Sequence, residues 1–339
     1  MSRPSSTPGP PRGAALPALD VVFLGTGARS PTPLRAVAAT VVIRGGERLL
    51  VDCGEGTQRQ LMRSVAGLRR LTTILITHGH GDHVLGLPGL LATLSDARRE
   101  PLAVLGPPGL RALIDGFRVH FGRLAFPMEV REMLPGEEHA GDGYRLVAVA
   151  TRHGVPSLAW ALAEDPLPGH LIDDRLAELG VPAGPARAAL ARGEEVVLPG
   201  GRRVTPSEVT GARRPGRRLV LSGDTRPSAD VEAAAAGADL LVHEATFLER
   251  DRELAARSGH STASQAGALA ARAGVRMLAL VHRSSRYGAG EVLAEARRAF
   301  PAAVVPEDLD RISVPSPERG APRLVPGGGR TRETRDRDP

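Results

Sequence analysis

The stretch ILITHGHGDHVLGL (Ile74–Leu87) places three histidines and one aspartate within six residues, directly after an apolar run. The whole chain has only 10 histidines among 339 residues, so this cluster concentrates a scarce residue type. A polar surface would use the abundant arginines and acids, and an apolar core would not include an aspartate between histidines. Imidazole and carboxylate suit zinc and similar ions, so we interpret the four polar residues as metal ligands. They are His78, His80, Asp82 and His83.

Other apolar runs also end in polar clusters, in the segments ATRHGVPS, LSGDT, LVHEAT and LVHRSS. Because functional groups gather at the carboxyl ends of parallel strands, we expect these clusters to lie beside the first one. Taken singly, such residues are often turn or capping residues, and their shared position is what favours a site. The additional ligand candidates are His153, Asp224 and His282.

This number of ligands predicts a site for two divalent ions, Zn²⁺ or Mn²⁺, since histidine and aspartate accept both metals. One ion would be held by His78, His80 and His153. The other would be held by Asp82, His83 and His282. Asp224 would bridge them, because a carboxylate has two oxygens and spans a binuclear site. Such a site lowers the pKa of a bound water and contacts both oxygens of an in-line phosphoryl displacement.

Composition constrains the protein less sharply. The single cysteine, Cys53, excludes an intramolecular disulfide and fits a reducing cytoplasm. The N-terminal residues contain no apolar run long enough for a signal peptide or a membrane span, so we expect a cytoplasmic protein with no membrane association. The net charge of +6 suits a nucleic-acid partner, but most of the excess arginine lies in residues 1–18 and 316–339. Charge therefore leaves the partner open.

Strands alternate with helices over residues 19–315, which indicates an α/β domain of packed layers. Residues 1–18 and 316–339 are rich in proline, glycine and polar residues and are predicted to be disordered tails. The segment 164–218 interrupts the pattern with many prolines and glycines and short helical stretches. It holds nine arginines and eight acids, so it is not a simple basic arm. We interpret it as an excursion from the α/β core.

The HGHGDH motif resembles that of the metallo-β-lactamase superfamily, and within it the chain is similar to the ribonuclease Z family of tRNA-processing endonucleases. The similarity extends from Asp20 to about Val314. It includes the motifs FLGTGARSPT, DCGEGTQRQL, SGDTRP, LVHEATF, GHSTASQAG and HRSSRY. The resemblance implies an αββα sandwich, two sheets between layers of helices, with an inserted protruding arm.

The resemblance also implies an activity, the metal-dependent hydrolysis of a phosphodiester that removes the 3′ trailer from a tRNA precursor and leaves a tRNA 3′-hydroxyl. It implies the same seven metal ligands, with Asp82 as the base that deprotonates the attacking water. His243 is the implied acid for the leaving 3′-oxygen, and Glu244 the carboxylate that orients His243.

The segment 164–218 matches the position of the family's arm, which grips the tRNA elbow, and Gly184 and Pro185 resemble its tip. The family is usually a homodimer in which the arm of one subunit serves the site of the other. The expected partners are therefore precursor tRNA and a second copy of the chain.

The chain departs from the family in two places. Pro33 and Ala36 stand where a lysine and an asparagine are usual, in a loop linked to the rejection of tRNAs that already carry CCA. Ala159 and Trp160 replace a usual Gly-Tyr pair. One alternative function is a small-molecule phosphodiesterase or other hydrolase on the same fold, which would not need an arm. Another is a non-catalytic RNA-binding protein on a decayed scaffold, which should have lost ligands.

Overall fold

The computed structural model describes residues 16–327, which fall into two compact units. The larger unit comprises residues 18–139, 146–162 and 217–327. The smaller unit comprises residues 16–17, 140–145 and 163–216. None of the described helices is both long and apolar enough to span a membrane.

The strands, in chain order, are β1 (Leu19–Gly25), β2 (Ala39–Arg44), β3 (Glu47–Val51), β4 (Leu71–Leu75), β5 (Leu102–Gly106), β6 (Met128–Glu132), β7 (Glu138–Gly141), β8 (Tyr144–Ala150), β9 (Leu158–Glu164), β10 (Val196–Val197), β11 (Arg203–Val204), β12 (Arg218–Leu221), β13 (Leu240–Glu244), β14 (Leu278–Val281), β15 (Ala303–Val304), β16 (Arg311–Ser313) and β17 (Arg323–Val325).

The α-helices are α1 (Thr57–Arg63), α2 (Gly81–Val84), α3 (Leu87–Ala97), α4 (Leu110–Phe121), α5 (Asp173–Glu178), α6 (Pro185–Ala191), α7 (Pro206–Val209), α8 (Ala229–Ala235), α9 (Arg252–Ser258), α10 (Ala263–Ala273) and α11 (Ala289–Arg297). Short 3₁₀ helices cover Glu249–Asp251 and Pro317–Arg319.

Two sheets form the body of the larger unit. The first has the strand order β17-β16-β1-β2-β3-β4-β5-β6, and the second β15-β14-β13-β12-β9-β8-β7. Strands β3 to β6 are parallel in the first sheet, and β12 to β15 are parallel in the second. The parallel strands place the carboxyl ends of β12, β13 and β14 at one edge, where the sequence predicted the polar clusters to gather.

The central strands of each sheet are buried on both faces, which explains their nearly continuous apolar runs. In the first sheet, Ile74 packs in one cluster with α1, α3 and α4, while its neighbour Leu75 points to the opposite face and is also buried. In the second sheet, Leu241 packs with the helices α8 to α11, while Val242 is buried on the other side. The predicted αββα sandwich is confirmed.

The two sheets are joined directly below the histidine motif. The N–H of Leu158 donates to the carbonyl of Thr77 at 2.8 Å. The indole N–H of Trp160 donates to the carbonyl of Ile76 at 3.2 Å, and the Trp160 side chain is fully buried. Trp160, one of the departures from the family, thus satisfies its polar atom while it fills the space between the sheets.

The smaller unit is built on a stem of two antiparallel chain segments. Leu167 and Arg214 exchange backbone hydrogen bonds of 2.8 and 2.9 Å, and Ile172 donates to Val209 at 2.8 Å. Above this stem, α5, α6, α7 and the β10–β11 hairpin enclose a separate apolar cluster. Its buried members are Leu176, Val181, Leu190, Leu198, Val204 and Val209. The segment predicted as an excursion therefore has its own core.

The C-terminal boundary of the predicted domain is too early. Residues 316–327 were assigned to a disordered tail, but they contain the 3₁₀ helix at Pro317–Arg319 and strand β17, which pairs with β16. An apolar pair in this stretch, Leu324 and Val325, supplies the strand. The predicted tails at residues 1–15 and 328–339 lie outside the described residues.

Candidate active site

The histidine motif begins where β4 ends. The chain bends at Thr77, pairs with Ser157 at His78, and then enters the short helix α2, which carries Asp82 and His83. His78 and His83 are buried, whereas His80 is exposed. This strand–turn–helix geometry lets one short sequence supply ligands from several directions.

Three more loops bring their ligands to the same place. His153 follows β8, Asp224 follows β12, and His282 follows β14. His282 has a φ of 54°, a left-handed conformation that costs free energy for a residue with a β-carbon. Such strain at a strand end persists where the surroundings hold the residue in place.

The structure brings together all seven predicted ligands. His80 Nδ1 lies 3.0 Å from His78 Nε2 and 3.2 Å from His153 Nε2. In the second group, His282 Nε2 lies 3.2 Å from Asp82 Oδ2 and 3.3 Å from His83 Nε2.

Asp224 lies between the two groups. Its Oδ2 atom is 3.4 Å from the Nε2 atoms of both His83 and His282, and 3.8 Å from His78 Nε2. The central position matches the bridging role predicted for this carboxylate.

The cluster has the properties of a site for divalent cations. Ring nitrogens converge on one another and on carboxylates, and Asp224 Oδ1 is buried without a hydrogen-bond partner among the described residues. Buried polar atoms are rarely left unpaired, so the atom fits a ligand for a cation. Burial, followed by the charge of His83, lowers the pKa of His78 well below its usual value, which favours the neutral imidazole that metals bind. The residues present therefore fit divalent metal ions.

Asp52 is a positioning residue that sequence reasoning missed. Its Oδ2 lies 2.8 Å from His83 Nδ1, and its Oδ1 accepts from the N–H of Thr77 at 2.8 Å. The hydroxyl of Thr77 contacts both Asp52 and, at 3.0 Å, His78 Nδ1. One buried carboxylate thus orients a histidine in each ligand group. A signal was present in the DCGEG motif, but that motif served only to identify the family.

Glu244 was predicted to orient His243, and this predicted partner is wrong. Its carboxylate does not contact the His243 ring; Oε1 lies 2.9 Å from Nδ1 of His260 instead. His243 is fully buried, its Nδ1 lies 2.8 Å from the carbonyl of Glu244, and its Nε2 has no partner among the described residues.

The reason is the alternation of side chains along β13. His243 points to the same face as Leu241, which packs against helices, whereas Glu244 points to the face of Val242. Val242 and Glu244 line a cavity that also includes Asp52, His83 and Asp224. His243 therefore lies outside the ligand cluster, and its predicted role as the acid has no support in this geometry.

His260 is the second residue that the sequence did not single out. It lies in the GHSTA segment between α9 and α10, so it lacked the strand-end context used to choose candidates. Its Nδ1 is 3.8 Å from Asp224 Oδ2, and its ring stacks on that of His282 with centroids 5.4 Å apart. Although burial lowers the pKa of His260, the Glu244 carboxylate raises it to about 9.

The loop between β1 and β2 reaches Asp82. The N–H of Arg29 donates to Asp82 Oδ2 at 2.7 Å. Burial raises the pKa of Asp82, but the hydrogen bond from His282 and nearby imidazoles lower it below the usual range, so the carboxylate is ionised. In the same loop Pro33 is exposed, and the N–H of Ala36 donates to Asp308 Oδ2 at 2.6 Å. Neither departure from the family in this loop touches a ligand.

Gly184 and Pro185 lie in the smaller unit, where they begin α6. Gly184 has a φ of 98°, a conformation that favours glycine, and both residues are exposed.

Comparison with known proteins agrees with the fold. Residues 32–306 match the model of the metallo-β-lactamase superfamily. A protein named ribonuclease Z from Methanosarcina acetivorans is 42% identical over 301 residues, covering 88% of this chain and 98% of the relative. Another of that name from Natronomonas pharaonis is 46% identical over 310 residues, covering 88% of this chain and 99% of the relative. The crystal structure of the short form of human tRNase Z is 28% identical, with a TM-score of 0.63 over 87% of this chain and 99% of that one.

Proposed function

The chain belongs to the ribonuclease Z family of the metallo-β-lactamase superfamily, and we propose how its site holds metal, moves protons and binds RNA. Members of this family are metal-dependent endoribonucleases that remove 3′ trailers from tRNA precursors. The observation that carries the proposal is the convergence of seven ligand-type side chains from separate strand ends, with the buried Asp224 at their centre.

The site holds two divalent ions, Zn²⁺ or Mn²⁺. The first ligand set is His78, His80 and His153. The second is Asp82, His83 and His282. Asp224 would be shared between the two sets, which is supported by the distances from its Oδ2 atom to His78 Nε2 of the first set (3.8 Å) and to His83 Nε2 of the second (3.4 Å). Bound ions would supply Lewis acidity to the attacking water and to the phosphate oxygens.

Asp82 accepts the proton of the attacking water. The carboxylate is ionised, and the amide of Arg29 and the ring of His282 both hold its Oδ2 atom. As the water oxygen bonds to phosphorus, the bond to the 3′-oxygen of the tRNA breaks. The products are a tRNA with a 3′-hydroxyl and a trailer with a 5′-phosphate.

His260, rather than His243, protonates the departing 3′-oxygen. Its ring is part of the cluster and is held by Glu244 at 2.9 Å, a contact that favours the protonated imidazole. A general acid must reach the atom it protonates, and His243 is enclosed between the sheet and its helices. We therefore assign the acid role to the His260–Glu244 pair.

The smaller unit is the arm that engages the tRNA elbow, with Gly184 and Pro185 in the contacting region. Its separate core and backbone-bonded stem support a role as a distinct element. Recognition of RNA by shape and backbone does not require a strongly basic body. The enzyme acts in the cytoplasm as a homodimer, and the arm of one subunit serves the site of the other.

The central experiment is incubation of the purified protein with a 3′-extended tRNA precursor, followed by mapping of both product ends. We expect one endonucleolytic cut that leaves a tRNA 3′-hydroxyl and a trailer 5′-phosphate. A small-molecule hydrolase on the same fold would hydrolyse bis(p-nitrophenyl) phosphate but leave the precursor intact. Elemental analysis of the same preparation should find two divalent ions per chain.

Mixing two defective chains tests the dimer. One chain carries Asp82→Ala with an intact arm, and the other lacks the arm but keeps its ligands. Refolded or co-expressed together, they should form heterodimers that regain precursor cleavage, because the first chain lends its arm to the second chain's site. If each arm serves its own site, the mixture stays inactive.

A further inference from the structure

The loop between β1 and β2 contains two arginines with opposite environments. The Arg35 side chain is bound within the protein, because its Nη1 donates to the carbonyl of Arg283 at 2.9 Å. Arg29 is exposed, and within residues 16–327 its guanidinium takes part in no hydrogen bond or ion pair. Only its backbone is engaged, through the 2.7 Å hydrogen bond from its N–H to Asp82 Oδ2.

That hydrogen bond fixes where the free side chain begins. Because the Arg29 amide touches the carboxylate of Asp82, the Arg29 side chain starts at the edge of the ligand cluster. Arg29 has a φ of 64°, a left-handed conformation that glycine would adopt without strain. The chain therefore keeps a long cationic side chain at a position where its backbone favours glycine.

Both ends of the loop are held by the half-buried carboxylate of Asp308. Asp308 Oδ1 accepts from the N–H and hydroxyl of Thr26 at 3.0 and 2.8 Å, and its Oδ2 accepts from the N–H of Ala36 at 2.6 Å. The backbone beneath Arg29 is thus fixed while its guanidinium stays available. A rigid base lowers the entropic cost of binding a ligand through that side chain.

We propose that Arg29 is a substrate-binding residue whose guanidinium contacts a phosphodiester of the RNA strand adjacent to the scissile bond. Guanidinium groups recognise phosphate through paired, charge-assisted hydrogen bonds. The inference rests on the proposed function, because only a polyanionic substrate offers a further phosphate beside the reacting one. A small phosphodiester has no such group, so the two substrates separate binding by Arg29 from chemistry.

The test is Arg29→Gly, compared with a matched control, Arg70→Gly. Arg70 is also an exposed arginine with a left-handed φ, of 66°, but it directly precedes β4, at the end of that strand opposite to His78. Both changes remove one positive charge and relieve the same backbone strain, and both keep the amide. Arg29→Lys serves as the variant that retains charge.

For Arg29→Gly we expect KM for the tRNA precursor to rise about 10-fold, and the slope of log KM against log salt to fall by about one, the signature of one lost phosphate contact. Hydrolysis of bis(p-nitrophenyl) phosphate should change far less than cleavage of the precursor, because glycine keeps the amide that contacts Asp82, and Tm should shift only as it does in Arg70→Gly. Arg29→Lys should recover part of the loss, and Arg70→Gly should leave KM and the salt slope as in the wild type.

Three outcomes would overturn the inference while the wild-type enzyme still cleaves the precursor. The first is an unchanged KM and salt slope in Arg29→Gly. The second is an equal effect in Arg70→Gly, which would indicate net charge alone. The third is an equal loss on the small substrate, which would make Arg29 a residue that positions Asp82. Failure of the wild type to cleave any precursor would instead contradict the proposed function.

Discussion

The Nδ1 atom of His260 lies 2.9 Å from Oε1 of Glu244, although 16 residues separate the two along the chain. The same carboxylate accepts the N–H of Thr225 at 2.8 Å and the hydroxyl of Thr246 at 2.6 Å. Glu244 is therefore held in place from several sides, and it in turn fixes the imidazole of His260 beside the ligand cluster.

This pair leads to a prediction about the leaving group. His260→Ala should lower kcat for the tRNA precursor by about 10²- to 10⁴-fold, the usual contribution of a general acid. Hydrolysis of bis(p-nitrophenyl) phosphate should fall much less, because p-nitrophenolate leaves without a proton. The matched control is His243→Gln, which should change neither rate by more than a few-fold. Larger losses in His243→Gln than in His260→Ala would restore His243 as the acid.

The same pair predicts a pH dependence in the metal-free protein. The pKa of His260 is raised from 6.5 to about 9 by Glu244 despite burial, so protonated His260 stabilises the folded state. This contribution is complete below about pH 6.5 and is lost as the pH rises through about 9. With a chelator present, His260→Gln should lower Tm more at pH 6 than at pH 9.5. An equal decrease at both pH values would contradict the linkage.

Asp52 should control the affinity for both ions. Asp52 has a φ of 60°, a conformation that asparagine tolerates, so Asp52→Asn tests the charge without adding backbone strain. We expect the affinity for each ion to fall about 10- to 100-fold, measured by competition with a chromophoric chelator. The control is Asp239→Asn, which alters a buried acid at the other end of β13, where it pairs with Arg276. If both variants bind metal equally well, Asp52 does not orient the ligands.

Asp82→Ala should separate catalysis from RNA binding. Loss of a metal ligand that also accepts a proton should reduce kcat by at least about 10²-fold. The Kd for precursor tRNA, measured by filter binding, should remain within a few-fold of the wild type because most of the RNA is bound elsewhere. Asp115→Ala, at an exposed position on α4, is the matched control. Cleavage by Asp82→Ala at nearly the wild-type rate would refute the proton-transfer scheme.

Removal of residues 165–216, which form most of the smaller unit, should abolish RNA processing but preserve the metal site. A β-carbon at Gly216 would lie 2.3 Å from the carbonyl of Glu164, so the two ends of the insertion are adjacent. Arg217 must be kept, since it is buried and its Nη1 donates to the carbonyl of Val314 at 2.9 Å. A short Gly/Ser linker from Glu164 to Arg217 meets both conditions.

We expect this shortened chain to bind two ions and to hydrolyse bis(p-nitrophenyl) phosphate at close to the wild-type rate. Precursor cleavage should collapse, mainly through a higher KM. Equal precursor activity in the shortened and intact proteins would show that the arm plays no part in recognition. Loss of metal and of both activities would show that the insertion is required for folding.

The sequence by itself determined the αββα layers and the set of candidate metal ligands that the structure brings together. Strand ends are local features, visible as an apolar run followed by a polar cluster, and parallel strands bring such ends to one edge without further information. His78, Asp224 and His282 could therefore be predicted together. The alternation along β13 was also readable, and it would have placed His243 and Glu244 on opposite faces.

Only the tertiary structure decided which side chains support those ligands. Asp52 reaches His83 across 31 residues, and the amide of Arg29 reaches Asp82 across 53. These contacts depend on how loops from different strands pack at the site, and no spacing in the sequence encodes that packing. The separate core of the insertion could not be predicted from the sequence for a related reason. Its few apolar residues are spread over short helices, and they form a cluster only when the stem brings them together.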